Sequence, residues 1–200
     1  ALDGEGRFVR TDRPADALLS AAVRHVERYL DAPFPDGYRS ELLPQLPYWI
    51  QAVMGGLDKG VMLFADYGYP RREFYQADRD DGTLRAYYRH RVHNDAYVWP
   101  GLQDITASVD FSALAQGGTN AGFDLAGYTT QANFLLGNGL QERLDEAQAR
   151  ADEATLLRLR NEAKRLTLPS EMGERFHLMG FSRDVAVGAA FPFNDLSWRL

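Results

Sequence analysis

No cysteine occurs in this chain, so disulfides, thiolate metal sites and cysteine nucleophiles are all excluded. Histidine is sparse as well, with only His25, His90, His93 and His177. His90 and His93 are near enough in sequence to share a metal, but no HExxH or matching carboxylate pattern accompanies them, so no metal is expected. There is no GxGxxG, no GxxxxGK[ST] and no GxSxG, which removes the dinucleotide loop, the phosphate loop and the serine-hydrolase elbow. Excess positive charge is missing too: the net charge is −6, which argues against a nucleic-acid partner. No apolar run reaches the length of a membrane span, and the opening ALDGEGRFVR is too polar for a signal peptide. The chain does not begin with Met and opens on a strand-like Arg7-Phe8-Val9. This leads to the expectation that an upstream part of a larger protein is missing.

What is present is the material of a packed α/β protein. Hydrophobic residues make up 45% of the 200 and aromatics 12%, enough for a sizeable core. Residues 1–13 read as a short strand, and Ala15–Leu30 as a helix with Leu18, Leu19, Ala22, Val26 and Leu30 on one face. A second helix begins at Pro44 or Pro47, runs to about Lys59 and is ended by Gly60. Val61–Ala65 is a continuous apolar run between breakers, the pattern of a central parallel strand covered on both faces. Pro70–Gly82 and His90–Gly101 read as loops and Thr83–Arg89 as extended. Asp104–Phe111 is a strand or the lead-in to a helix capped by Asp110 or Ser112. Gly122–Tyr128 reads as a strand and Thr129 or Thr130 as the next helix cap. Leu140–Leu166 is helical with a break near Ala154, and Arg175–Ser182 is a last strand.

In open α/β sheets ligands sit beyond the carboxyl ends of the strands. That places Asp66, Tyr67, Gly68 and Tyr69, at the polar end of GVMLFADYGY, on a ligand cleft, with Gly68 allowing a sharp turn. Arg85, His90, Asp104, Thr106 and Gln131 are further polar candidates in poorly regular stretches. Satisfying buried backbone is the commoner fate of such residues in a core. Glu41 stands just before the second helix, as a catalytic carboxylate or as a favourable charge near a helix N-terminus.

Longer runs go further than these short patterns. YRSELLP (38–44), GVMLFADYGYPRREFY (60–75), GTLRAYYRHRVHNDAYVWPGLQDITASVDFSALA (82–115), GYTTQANFLL (127–136) and LTLPSEMGERFHLMGFSR (166–183) occur in this order. In them the chain resembles the C-terminal half of the MidA-like methyltransferases, a family that includes a mitochondrial complex I assembly factor. The resemblance implies an α/β fold of class I: a Rossmann-like S-adenosylmethionine-dependent methyltransferase sheet. The final strands would be antiparallel and a helical insertion would precede the last. One methyltransferase domain is expected to organise as residues 1–44, an excursion; 45–128, sheet and helices; 129–168, the insertion; and 169–200, last strand and tail.

The resemblance further implies protein arginine N-methylation linked to complex I assembly, with S-adenosylmethionine as cofactor. The expected partner is a protein substrate, with no nucleic acid, no membrane and a homodimer left open. The cytoplasm is the expected location in a bacterium, the mitochondrial matrix in a eukaryote. The family's glycine-rich cofactor loop lies upstream of this segment, so the chain alone is expected to be inactive. Asp66 and Glu41, with Asp104 behind them and His90 at the margin, become the catalytic candidates. Tyr67, Gly68, Tyr69, Arg85, Thr106 and Gln131 become the substrate-binding ones. Members usually carry His where this chain has Ser108. Many carry Lys in place of His177, a position read as peripheral. The competing reading is a non-catalytic assembly module that keeps the fold.

Overall fold

In the computed structural model the chain runs α1 (Ala17–Glu27), α2 (Leu46–Met54), β1 (Gly60–Tyr69), α3 (Arg71–Phe74), β2 (Arg85–Tyr88), β3 (Arg91–His93), β4 (Asp104–Thr106), β5 (Val109–Asp110), α4 (Phe111–Asn120), β6 (Asp124–Thr130), α5 (Gln131–Gly137), α6 (Leu140–Gln148), α7 (Glu153–Thr167) and β7 (Phe176–Arg183). The structure describes residues 1–200, with nothing stated for the surroundings of Gly188. The chain divides into two compact units, Ala1–Pro44 with Arg71–Ser108, and Gln45–Pro70 with Val109–Leu200.

The second unit holds a four-stranded sheet in the order β5-β1-β7-β6. β7 is antiparallel to both neighbours, pairing Gly60–Tyr67 of β1 on one side and Asp124–Thr130 of β6 on the other. β5 is parallel to β1 but meets it only at Gly68↔Val109 and Tyr69↔Asp110. The helices α5, α6 and α7 fall between β6 and β7, so antiparallel final strands and a helical insertion are both present.

The core lies against one face of the sheet, where Phe181, Met179 and Tyr128 meet Ile50 and Met54 of α2 and Phe111 and Leu114 of α4. On the other face the C-terminal tail closes over β6 and β7. Phe191 packs over Gly127 and Gly180, and the Thr129 hydroxyl donates to the carbonyl oxygen of Asn194 at 2.9 Å. The tail also takes the outer edge of β6. Tyr128 N–H donates to Asp195 Oδ1 at 3.1 Å, and Leu196 N–H to Tyr128 O at 2.6 Å.

Helix starts follow local side-chain chemistry. Asp110 caps α4 through Ala113 N–H, Thr130 caps α5 through Asn133 N–H, and Asp152 caps α7 through Thr155 N–H. The break expected near Ala154 falls slightly earlier, in the 149–152 linker that ends on the cap Asp152. The Asp104–Phe111 segment is β4, then β5, then the first residue of α4.

Other expectations need correction. The second helix ends at Met54, not Lys59, with Gly55 as its cap. Gly60, at φ +154°, begins β1 instead of ending a helix. Residues 1–13 form an isolated Leu2↔Phe8 bridge, and Pro70–Gly82 contains the short helix α3. β1 is not covered on both faces: Val61 is 47% exposed and Leu63 49%. Its long partner β7 is antiparallel, and its parallel partner β5 meets it at two residues only.

The first unit contains the three-stranded sheet β3-β2-β4, all antiparallel. β2 and β3 form a hairpin whose two turn residues, Arg89 and His90, sit at φ +47° and +65°. Both values belong to the left-handed region, which non-glycine residues enter at a cost.

Candidate functional site

Asp66 is not beyond the end of its strand. β1 continues to Tyr69, so Asp66 lies inside the ladder opposite His177, and Tyr67 lies opposite Phe176. Asp66 is exposed, and its Oδ1 accepts the N–H of Tyr67 at 2.8 Å. Its Oδ2 has no partner among the described residues, which leaves one carboxylate oxygen available to a ligand. The Tyr67 ring packs edge-on against Phe176, with centroids 5.6 Å apart.

Gly68 does not turn the chain. It stays in the strand, and a Cβ there would collide with the backbone of Val109 and the ring of Phe111. A glycine is required because two backbones cross closely, not because of a bend.

The neighbour of Asp66 on the ladder is the least expected residue of the region. His177 is 8% exposed, its ring stacked on Tyr128 (5.1 Å between centroids, 18° between planes) and 5.7 Å from the Phe111 ring. It is therefore a core residue, not a peripheral one. Its Nδ1 is buried without a hydrogen-bond partner. Burial above all, with help from the Arg199 charge, lowers its pKa to about 4, against a smaller opposing effect of the Arg175 backbone. The imidazole is neutral at pH 7. Gln131, at the start of α5, is buried too, and its side-chain amide donates to Leu166 O at 2.9 Å. It ties α7 to the start of α5.

In the first unit, Glu41 is neither free nor at a helix N-terminus. Its Oε2 accepts Thr83 N–H at 2.8 Å and the Thr83 hydroxyl at 2.9 Å, and its Oε1 accepts Leu84 N–H at 3.1 Å. The Thr83 oxygen in turn accepts Ser108 N–H at 3.0 Å. One carboxylate thus fixes the 82–84 turn and, through Thr83, the backbone at Ser108. Gly82 at φ +73° completes the turn, since a side chain there would run into the Glu41 carboxylate. Glu41→Gln leaves one acceptor oxygen for donors that now use two. It is expected to cost about 1–3 kcal/mol in denaturant unfolding. A change below 0.5 kcal/mol would show that the turn does not depend on the charge.

Arg85 and Thr106 are directly paired across β2 and β4, and Asp104 pairs with Tyr87. Arg85 spends one guanidinium N–H on Leu84 O at 2.8 Å. His90 is at the hairpin tip, three residues past Tyr87. The sheet therefore gathers Arg85, Asp104 and Thr106 on adjacent strands and leaves His90 on a turn. A separate cleft of about 490 Å³ in this unit is lined by Pro33, Phe34, Tyr38, Arg72 and Tyr75, none of them nominated from the sequence. Burial raises the Tyr38 phenol pKa. Thr83 and His177 were missed as well. Thr83 follows a glycine in an ordinary loop, and nothing local distinguishes His177 from a surface histidine on a strand. Among the described residues no cluster of three or more acidic or imidazole groups is arranged to hold a metal.

A family model described as "Putative S-adenosyl-L-methionine-dependent methyltransferase" matches residues 2–129. The chain belongs to this family. Two solved structures of family-like proteins from Burkholderia thailandensis superpose on the whole chain with TM-score 0.86 and 40% identity. One is an uncharacterized protein, of which the chain covers 52%. The other, titled a "likely methyl transferase", is bound to S-adenosyl-homocysteine, and the chain covers 50% of it. The fold is therefore that of the methyltransferase family.

Among curated relatives, the rat protein arginine methyltransferase NDUFAF7, mitochondrial, is 37% identical over 122 residues, which is 59% of this chain and 25% of the rat protein. The human protein of the same name is 34% identical over 125 residues, 60% of this chain and 26% of its own length. The chain spans about half the length of the solved family structures, and its match spans about a quarter of the curated relatives. No helix among the described residues is long and apolar enough to cross a membrane.

Proposed function

We propose that this chain is the acceptor-side portion of an S-adenosylmethionine-dependent methyltransferase that methylates arginine nitrogen in a protein substrate. The observation that carries the reading is the whole-chain likeness, at 40% identity, to a structure bound to S-adenosyl-homocysteine. The arginine assignment draws on the curated relatives named as protein arginine methyltransferases.

When bound, S-adenosylmethionine supplies an activated methyl group. Within the second unit two strands run directly into helices, and at each helix start a side chain takes one first-turn N–H, Asp110 that of Ala113 at α4 and Thr130 that of Asn133 at α5. We assign this chain's own contribution to the acceptor.

An arginine guanidinium is planar and cationic, and carboxylates hold it through paired charge-assisted hydrogen bonds. Asp66 is the group we assign to that role, because it is exposed and keeps Oδ2 available. Tyr67 and Tyr69 follow it on the same strand, and Gly68 permits the close approach of Val109 that orders the strand end. Glu41 acts as a positioning residue through Thr83, and Gln131 through Leu166. In the first unit Asp104, Arg85 and Thr106, with His90 at the hairpin tip, remain acceptor-binding candidates.

Asp66→Asn in the intact gene product is expected to lower kcat/KM for methyl transfer to an arginine-bearing protein substrate by about 10- to 100-fold. Unchanged transfer would remove Asp66 from the mechanism. The second reading is a partner-binding module that keeps the fold. Calorimetric titration of the intact gene product with S-adenosylmethionine separates the two: heat of binding supports the enzyme, and its absence supports the module.

A further inference from the structure

The cleft of about 490 Å³ in the first unit has no part in the chemistry assigned so far. Loop 30–35 and Tyr38 form one wall, and Arg72 of α3 with Tyr75 and Gln76 forms the other. Its aromatic surface is held in place from several directions. Pro33 and Pro35 stiffen the loop, and Phe34 N–H donates to Glu27 Oε1 at 3.1 Å. The Phe34 ring stacks on Tyr38 (4.7 Å between centroids, 13° between planes) and meets Tyr75 edge-on at 5.5 Å. The Tyr38 hydroxyl donates to Gln76 O at 3.4 Å, and the Tyr75 hydroxyl to Glu41 O at 3.2 Å.

An ion pair joins the two walls, Arg72 Nη2 to Asp31 Oδ1 at 3.3 Å. Among the described residues these are the only charged side chains on the lining. They are 70% and 85% exposed, and an ion pair so open to water contributes little and exchanges readily. One guanidinium thus already rests on the carboxylate of the cleft, weakly enough to be replaced by another. The surroundings favour a cation too. Segments 30–38 and 72–80 hold five acidic residues against two arginines, Arg72 and Arg79. Arg79 is spent on the carbonyl oxygens of Glu73 and Phe74. Aromatic faces attract cations, and a planar guanidinium stacks on them better than a strongly hydrated ammonium.

We propose that this cleft docks an arginine side chain of a protein partner, whose guanidinium replaces that of Arg72 on Asp31 and lies against the rings of Phe34, Tyr38 and Tyr75. The partner is the arginine-bearing substrate of the function proposed above, and the assignment rests on that reading. The docked arginine is a second one, distinct from the arginine held by Asp66, so the cleft selects substrates that carry more than one. An anionic ligand fits less well, because it would find a single guanidinium among ring faces and surrounding carboxylates that repel it.

Titration of the intact gene product with the capped peptide acetyl-Gly-Arg-Gly-amide, followed by the NMR line widths of the peptide, tests it. Asp66→Asn is present throughout, so that the acceptor position does not dominate the binding. Asp31→Asn is expected to raise Kd by about 5-fold or more, through loss of the charge-assisted hydrogen bond. Arg72→Gln is expected to lower Kd by about 2- to 5-fold, because it removes the protein's own competitor for Asp31. Both side chains stand mostly in water, so neither change disturbs the folded core. The lysine peptide acetyl-Gly-Lys-Gly-amide should bind more weakly than the arginine peptide. Weaker binding after Arg72→Gln would mark an anion site and overturn the proposal. Binding that falls with Tyr38→Ala but ignores both charge changes would mark a purely apolar occupant and overturn it equally, as would no binding at all. Methyl transfer is no part of this readout. Asp31-dependent binding in a protein that transfers no methyl would sink the methyltransferase reading and spare the cleft, and transfer without such binding would do the reverse.

Discussion

Phe111→Ala should cost about 3–5 kcal/mol of folding stability, the range for removing a fully buried aromatic ring. Phe111 has no exposed surface. It is the first residue of α4, it stacks near Tyr128 (5.1 Å) and His177 (5.7 Å), and its ring abuts Gly68. Those neighbours come from β1, β6 and β7, and they cannot all close on the space left by the ring, so a cavity remains. The loss should be read from denaturant midpoints, with Leu157→Ala as control. Leu157 is 61% exposed on α7, and its replacement should change stability by no more than about 0.5 kcal/mol. A Phe111→Ala cost below 1 kcal/mol would mean that the site collapses without a cavity and that this ring does not organise the β1–β5 junction.

Acid should destabilise the protein through His177, and the sign follows from its depressed pKa. The folded protein holds this imidazole neutral down to about pH 4, whereas the unfolded chain protonates it near the ordinary 6.5. Above pH 6.5 neither state carries the proton and the group has no effect. Between 6.5 and about 4 the unfolded state alone gains the proton, so stability falls with falling pH, by about 3 kcal/mol at most. Asp66, across the ladder, is exposed to solvent, and Arg199 adds positive charge that opposes protonation. His177→Phe keeps a ring stacked on Tyr128 and removes the proton site. Its unfolding free energy measured from pH 7.5 to 4.5 should therefore fall less steeply than that of the unsubstituted protein. Parallel slopes would show that His177 takes up its proton in the folded state as easily as in the unfolded one.

Both effects centre on a cluster that sequence patterns left almost invisible. Tyr128 and Phe111 are apolar enough to be expected in a core. His177 is polar, and the residues on either side of it, Phe176 and Leu178, would suit an exposed or a buried histidine equally well. Which it is depends on what packs on its face of the sheet, and that is decided by Phe111 of α4, more than sixty residues upstream. Glu41 makes the same point with different chemistry. Its three hydrogen bonds go to residues 42 and 43 positions away, so no local spacing could reveal them. Asp66 was placed in the right strand but at its end. The strand's length was set by β7 pairing as far as Tyr67 and by β5 at Gly68, not by the apolar run that identified it.

The sequence by itself determined what chemistry along the chain can determine. Cysteine chemistry was excluded by absence. Apolar periodicity located α1 and α2, a continuous apolar run located β1, the segments of β6 and β7 read as strands, and Asp110 and Thr130 were named among the candidate caps for α4 and α5. The family resemblance supplied the antiparallel ending and the insertion, and the superposition on the solved family structures agrees with both. Only the tertiary structure decided that β7 lies between β1 and β6, that His177 is sealed from water, that Glu41 serves a turn, and that β1 has one partnered side and one exposed side. Helix caps and hydrophobic periods act over a few residues and are written locally. Strand neighbours, burial and sheet edges depend on which distant segments meet, and a single sequence states that only once it has folded.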